Sequence, residues 1–255
     1  MRPGFDARLW DSYAPFFDVE EGTVFPVDEA ELLFYGRMRR RLRGRALEIG
    51  AGCGRLARSL FLSPEHLTVA LEPSRGMLSR WVSEDASMAS RIRALGQEMP
   101  FPDNSFMLAA FPYNGMHCIL DPAGRSALLR EAARVLEPEG RVLLETCPLF
   151  AARPEDTDSV RYDFFDGRLR LRLEETVRKD LRRGSITFFM KYTIGSAGVS
   201  ELALELALIP PGLLLAEIEE AGLSVEEIWG DYDFSPFDAE ASPRMLTLAS
   251  RKDAG

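Results

Sequence analysis

From residue 45 to residue 147 the chain alternates short continuous apolar runs with amphipathic ones. Residues 28–43 (DEAELLFYGRMRRRLR) predict a helix, with Asp28 as N-cap and Gly44 as its stop. Residues 45–50 predict a strand that runs into glycines, followed by a helix at 54–62. TVALE (68–72) is a second strand, 74–85 an amphipathic helix and RIRAL (91–95) a third strand. FPDN (101–104) is a turn, SFMLAAF (105–111) a buried strand, and DPAGRSALLREAARVL (121–136) a helix with proline in its first turn. EPEG is the exit of that helix, and RVLLETC (141–147) is another buried strand. Apolar strands separated by helices predict a parallel sheet covered on both faces.

The rhythm then changes to period two. In 161–180 Leu169, Leu171 and Leu173 fall on one side, and Arg168, Arg170 and Arg172 on the other. A turn at 182–184, SITFFMKYTI (185–194) and ELALELALI (201–209) continue an antiparallel block without helices, closed by Pro210, Pro211 and Gly212. LLLAEIEEAG (213–222) predicts a helix with Gly222 at its C′ position, and LSVEEIWG and RMLTLAS are two closing strands. The expected fold is α/β, a doubly wound, mostly parallel sheet of seven strands with its last strand antiparallel, and an antiparallel sheet inserted before the final helix. Four units are expected: a helical cap at 1–44, a ligand-binding core at 45–150, the insertion at 151–209, and completion of the core sheet at 210–255.

The formal charge of −9 over 255 residues argues against a nucleic-acid partner, which needs a basic face. The basic run 37–45 (RMRRRLRGR) reads as a solvated helix face rather than a phosphate dock. Cys53, Cys118 and Cys147 show no CxxC spacing, so neither a metal site nor a disulfide framework is expected, and a reducing, cytoplasmic compartment is. The N-terminus lacks a signal-peptide core, and no apolar run approaches the roughly 20 residues of a membrane span.

LEIGAGCGR (47–55) carries the candidate chemistry. Strand, glycines and helix in that order bind a nucleotide-like ligand at the carboxyl end of a sheet. A dinucleotide loop, GxGxxG, would need glycine at position 55, which is Arg55, and Glu48 would repel phosphate. The same carboxylate attracts an ammonium group, worth on the order of 4 kcal/mol at about 4 Å before desolvation. The loop therefore suits a ligand that brings a cation and no phosphates.

On these residues the chain resembles the class I S-adenosylmethionine-dependent methyltransferases, whose first motif is an acid followed by GxGxG. The resemblance implies S-adenosylmethionine as cofactor, S-adenosylhomocysteine as product, a Rossmann-like sheet and a small-molecule acceptor with an N, O or C nucleophile. It implies that Glu48 orients the methionyl end beside Gly50, Ala51 and Gly52. Glu72, followed by Pro73, would take the ribose hydroxyls, and Met77 would pack on the adenine. LGQEMPFPDNSF (95–106) resembles the family stretch ending in LPFPDNSFD, with departures at Leu95 and Met107. Adenine recognition then falls to Gln97, Glu98 or backbone groups nearby, and Met99 and Phe111 are also expected to bind the cofactor. WDSYAPFFD (10–18) resembles the YDxxAxxYD leader that folds over the cofactor, so Tyr13 and Phe16 or Phe17 are expected to close the pocket. The insertion resembles one that either roofs the acceptor site or makes a homodimer contact.

FPYNGMHC (111–118) should lie at the mouth of the site. His117 is either an inert loop histidine or the group that accepts the acceptor's proton, with Tyr113 and Asn114 orienting the acceptor. His66 falls at the opposite end of the sheet and reads as structural or solvated. Two other classes share parts of the pattern. Arg55 and Glu48 disfavour a pyridine-nucleotide oxidoreductase; the departures at Leu95 and Met107 leave open a cofactor-binding module without catalysis.

Overall fold

Two capped helices precede the sheet. The computed structural model describes residues 6–60, 68–81, 90–165, 167–168, 170–195 and 199–252. Helix α1 (Ala7–Thr23) starts at Asp6, whose carboxylate accepts the N–H groups of Arg8 and Leu9. Pro15 lies inside it, so the Asp11 carbonyl lacks its helical donor. Helix α2 (Glu29–Arg41) starts at Asp28, which accepts the Glu31 N–H at 2.7 Å. Gly44 follows with φ +140°, as the pattern predicts. The basic run is mostly a solvated face, as expected, with Arg37, Arg40, Arg41, Arg43 and Arg45 exposed. Arg37 lies 4.6 Å over the Phe234 ring, Arg39 is buried and donates to the Gly44 carbonyl, Arg41 pairs with Glu227, and Arg45 lies 5.0 Å over Phe106.

The α/β core follows in chain order: β1 (Ala46–Ile49), α3 (Arg55–Leu60), β2 (Thr68–Leu71), α4 (Arg75–Leu78), β3 (Ser90–Ile92), β4 (Phe106–Phe111), α5 (Pro122–Val135) and β5 (Leu136–Thr146). β5 starts at Leu136, not 141, because Leu136 already pairs with Phe106 before the register slips across EPEG to Arg141 opposite Leu108. EPEG is thus a bulge within the strand. A Cβ at Gly140 would stand 2.7 Å from the Phe106 carbonyl oxygen, so only glycine fits the bulge.

The insertion has four strands, one more than the alternation suggested: β6 (Asp156–Phe165), β7 (Arg170–Asp180), β8 (Ser185–Ile194) and β9 (Val199–Ala207), antiparallel in that order. The expected single run 161–180 is broken between β6 and β7, where Gly167 takes φ +93°. Asp-Gly at 166–167 is a hairpin signal that the period-two pattern overrode. Leu171 and Leu173 face inward and Arg170 and Arg172 outward, as expected; Leu169 and His66 lie outside the described residues. Helix α6 (Pro211–Glu220) begins two residues earlier than predicted, since Pro211 fits a first helical turn. β10 (Leu223–Trp229) and β11 (Met245–Arg251) close the chain.

The main sheet runs β10-β11-β5-β4-β1-β2-β3, parallel except for the last strand, β11, which is antiparallel to both of its neighbours. Val142 and Leu144 face α5 and α6 with Leu128, Leu129 and Ile218; Leu143 and Leu246 face α2 with Phe34 and Met38. All are buried, and each large apolar side chain contributes about 1.5–3 kcal/mol. β1 lies between β2 and β4, so the strand order reverses there and opens a crevice at the carboxyl ends of β1 and β4. Phe16 with Leu171, Leu173, Phe188, Tyr192 and Leu206 forms a separate core between α1 and the inserted sheet.

Candidate active site

The glycine loop leaves β1 as a chain of left-handed turns: Gly50 at φ +66°, Gly52 at +56° and Gly54 at +87°. A Cβ at Gly50 would stand 2.8 Å from the Phe111 ring, and one at Gly54 would stand 2.6 Å from Trp81. The loop is pinned on both sides. Trp81 Nε1–H donates to the Gly52 carbonyl at 2.9 Å, and Glu72 Oε2 accepts the Gly52 N–H at 2.9 Å. Glu72 Oε1 accepts the Ser74 N–H at 2.7 Å. Each carboxylate oxygen keeps a second lone pair. Burial raises the Glu72 pKa, and the Ser74 and Gly52 amides pull it back.

Glu48 is 5% exposed, and its Oε2 is buried with no hydrogen-bond partner among the described residues. Burial raises its pKa to about 8; the Glu21 carboxylate adds to the rise and Arg55 opposes it. Arg55, at the first position of α3, forks onto both oxygens of buried Glu31 and lies 4.6 Å over the Tyr113 ring. An unmet carboxyl group beside a glycine backbone fits a cationic donor that lies against the main chain, as the ammonium group of S-adenosylmethionine would.

These groups open on a cavity of about 400 Å³. Of the sequence-predicted residues, Tyr13, Glu48, Gly50, Gly52, Glu72, Pro73, Met77, Gln97, Phe111 and Tyr113 line it, as do Leu95 and Asn114. Phe17 lines it too, while Phe16 stacks 4.3 Å from Tyr192 instead. Ala51, Glu98, Met99 and His117 are not in the lining. Ala51 packs with Ala57, Ala70 and Trp81 beneath the loop. Met99 is in the main core, with its N–H given to Glu131, and the Glu98 N–H goes to the Leu95 carbonyl.

His117 is fully buried with both ring nitrogens engaged. Nδ1 donates to the Ala207 carbonyl at 2.7 Å, and Nε2 accepts the Cys147 N–H at 3.1 Å. Burial lowers its pKa to about 4. It has no lone pair left for a substrate proton, and its work is to tie the end of β9 to the end of β5.

The alternation of strands and loops did not reveal Trp10, Glu21, Leu204, Leu206 and Phe150 as lining residues. Trp10, Tyr13, Phe17 and Glu21 share one face of α1 at spacings of three and four. That helical phase was present in the leader. Leu204 and Leu206 are alternate residues of β9, so the insertion roofs the cavity.

Between β4 and α5, Tyr113 (φ +51°) and Asn114 (φ +63°) are consecutive left-handed non-glycine residues, costing about 1–2 kcal/mol each. The surroundings enforce the bend. Glu145 Oε2 accepts the Tyr113 N–H at 3.1 Å, and Tyr35 and Tyr232 hold the same carboxylate at 2.9 and 2.8 Å.

A doubly wound sheet with an acid-and-glycine loop at its switch point, and a second acid ending the next strand, is the Rossmann-like α/β arrangement, whose crevice lies at the carboxyl ends of the strands. Residues 46–140 match the family described as "Methyltransferase domain". No curated protein sequence matches the chain. Among solved structures, the CcbJ methyltransferase from Streptomyces caelestis superposes with a TM-score of 0.83 at 18% identity, covering 97% of this chain and 100% of that one. The sugar N-methyltransferase KedS8 from Streptoalloteichus sp. gives 0.72 at 16% identity, with 99% and 95% covered. The amino pentose methyltransferase CalS10 from Micromonospora echinaspora, solved with S-adenosylmethionine bound, gives 0.69 at 15% identity, with 99% of each covered. Residues 46–140 thus match a methyltransferase domain, and the chain as a whole has the Rossmann-like methyltransferase fold.

Proposed function

We propose that the protein methylates an amine nitrogen of a small molecule held between the glycine loop and the inserted sheet, by in-line displacement. The observation that carries this reading is one cavity whose walls join Glu48 and Glu72 on the core side to Tyr13, Phe17, Phe150, Leu204 and Leu206 on the insertion side. Cofactor and acceptor then share one space. Glu48 would hold the methionyl ammonium, Glu72 the ribose hydroxyls, and Met77, Leu95 and Gln97 the adenine.

The polar groups of the acceptor side favour an amine. Tyr13 gives its own proton to Glu20 at 3.0 Å, which leaves its oxygen as an acceptor. Glu21 and Asn114 add further acceptors to the lining. These acceptors suit a ligand that brings donors. The printed names of KedS8 and CalS10 point the same way, one acting on sugar nitrogen and the other on an amino pentose.

Bound here, the cofactor supplies a methyl carbon on a sulfonium: the amine lone pair forms the new C–N bond, sulfur keeps the C–S electron pair, and the surplus amine proton passes to water. The protein's part is alignment and exclusion of water, and orientation of this kind removes about 7–11 kcal/mol from a barrier. The test is incubation with S-adenosylmethionine and matched panels of amine, hydroxyl and acidic-carbon compounds, followed by mass spectrometry. Methylated amines with stoichiometric S-adenosylhomocysteine are expected. Methyl gain confined to the hydroxyl or carbon panel would contradict the amine assignment.

A further inference from the structure

The strained turn after β4 delivers one atom that the fold itself does not use. Asn114 Oδ1 is buried, lines the cavity and has no hydrogen-bond partner among the described residues. Its main-chain carbonyl accepts the His117 N–H at 3.0 Å, at the start of the short 3-10 helix Gly115–Cys118. That helix is fastened to β9 through His117 and Ala207, so Asn114 stands where the glycine-loop half of the cavity meets the inserted sheet. An orphaned buried amide is retained where a ligand completes it, and a backbone held in an unfavourable region by its surroundings points to a functional position.

We infer that Asn114 Oδ1 accepts an N–H of the amine being methylated, and so selects an acceptor that still carries an N–H and is bound as the neutral base. The inference rests on the amine reading above and adds its specificity determinant. The choice of amide over acid matters. A carboxylate here would pair with the ammonium form and hold its proton, keeping the lone pair occupied. An amide carbonyl takes one N–H and leaves the lone pair free. A neutral tertiary amine has no N–H to offer, so a fully methylated product loses this contact and methylation stops there.

The competing explanation is that asparagine is present only because it tolerates a left-handed backbone. Asn114→Gly separates the two, since glycine adopts that conformation without strain. The S-adenosylhomocysteine-loaded protein is titrated by calorimetry with the methyl glycoside of an aminodeoxypentose and with its N-methyl and N,N-dimethyl derivatives, above the amine's own pKa. Wild type should bind the N-methyl compound about 10-fold or more tighter than the dimethyl one. Asn114→Gly should erase that difference while S-adenosylhomocysteine affinity stays within about 2-fold, as for a residue outside the cofactor contacts. Asn114→Asp should bind the ammonium form more tightly and move the midpoint of the kcat–pH profile up by about one unit or more.

An Asn114→Gly protein that keeps the discrimination would overturn the inference in favour of a turn residue. One that keeps the discrimination but loses S-adenosylhomocysteine affinity about 10-fold would assign the oxygen to the cofactor instead. If wild type binds S-adenosylhomocysteine but none of the amines, the amine reading falls and takes this inference with it, while the methyltransferase class stands.

Discussion

Glu48 and His117 show how little a residue's type says about its role before its surroundings are known. Glu48 is a buried carboxyl held up at about pH 8. Because its folded pKa is raised, it supports the free protein fully below its unfolded value near 4.5, and that support is lost as pH rises towards 8. Glu48→Gln should therefore stabilise the free protein above about pH 8, read as a higher Tm, while weakening cofactor binding by about 1.5–3 kcal/mol. A Tm that falls on substitution would show that the carboxylate is already satisfied. His117 has the opposite sign. Its folded pKa of about 4 lies below 6.5, so its contribution is complete above about pH 6.5 and is lost as pH falls towards 4. His117→Phe strands the Ala207 carbonyl and the Cys147 N–H, at about 1–3 kcal/mol each. Thermal unfolding should show that loss and flatten this part of the acid limb, and kcat of the folded variant should change only a few-fold. A loss of kcat of about 100-fold or more, with structure intact, would restore His117 as the general base.

At the scale of elements, α1 governs access. It lines the cavity through Trp10, Tyr13, Phe17 and Glu21, and two carboxylates tie it down. Asp11 accepts the Ser74 hydroxyl at 2.6 Å and the Gly76 N–H at 2.7 Å on α4. Glu20 accepts the hydroxyls of Tyr13, Tyr162 and Tyr192, which joins the helix to β6 and β8. The α1–α4 contact is close because Gly76 has no side chain: a Cβ there would be 2.6 Å from the Asp11 Cα. Gly76→Ala favours a helix by about 1 kcal/mol on propensity alone. It should nonetheless lift α1, with faster limited proteolysis within 6–24 and weaker S-adenosylhomocysteine binding. Unchanged proteolysis and affinity would mean that α1 does not hold the pocket closed through α4. None of this was legible from the leader's resemblance, because the latch partners Ser74, Tyr162 and Tyr192 are distant in sequence.

Across the whole molecule, what could be read from the sequence was what repeats or is local. The alternation of apolar strands with capped helices foretold the doubly wound sheet, and Asp28 and Gly222 marked element ends through their own backbone chemistry. The glycine loop and Glu72 were legible because the loop's conformation needs those residue types at that spacing. What escaped depends on packing between distant segments. The EPEG bulge exists because Leu136 pairs early with Phe106, and β6 and β7 pair as two separate antiparallel strands rather than one continuous period-two run. The His117 hydrogen bonds join residues 30 and 90 positions away. No described helix is long and apolar enough to cross a membrane.

The central claim, an anionic Glu48 receiving a cationic cofactor end opposite Glu72, is met most directly by calorimetric titration of S-adenosylhomocysteine into wild type and Glu48→Gln at about pH 6 and about pH 9, in buffers of different ionisation heat. The account predicts a single site, proton release near pH 6, affinity that rises with pH, and a substituted protein that binds more weakly with neither proton release nor pH dependence. Equal affinity in both proteins without proton release, or heat from NAD(P) and none from S-adenosylhomocysteine, would contradict it.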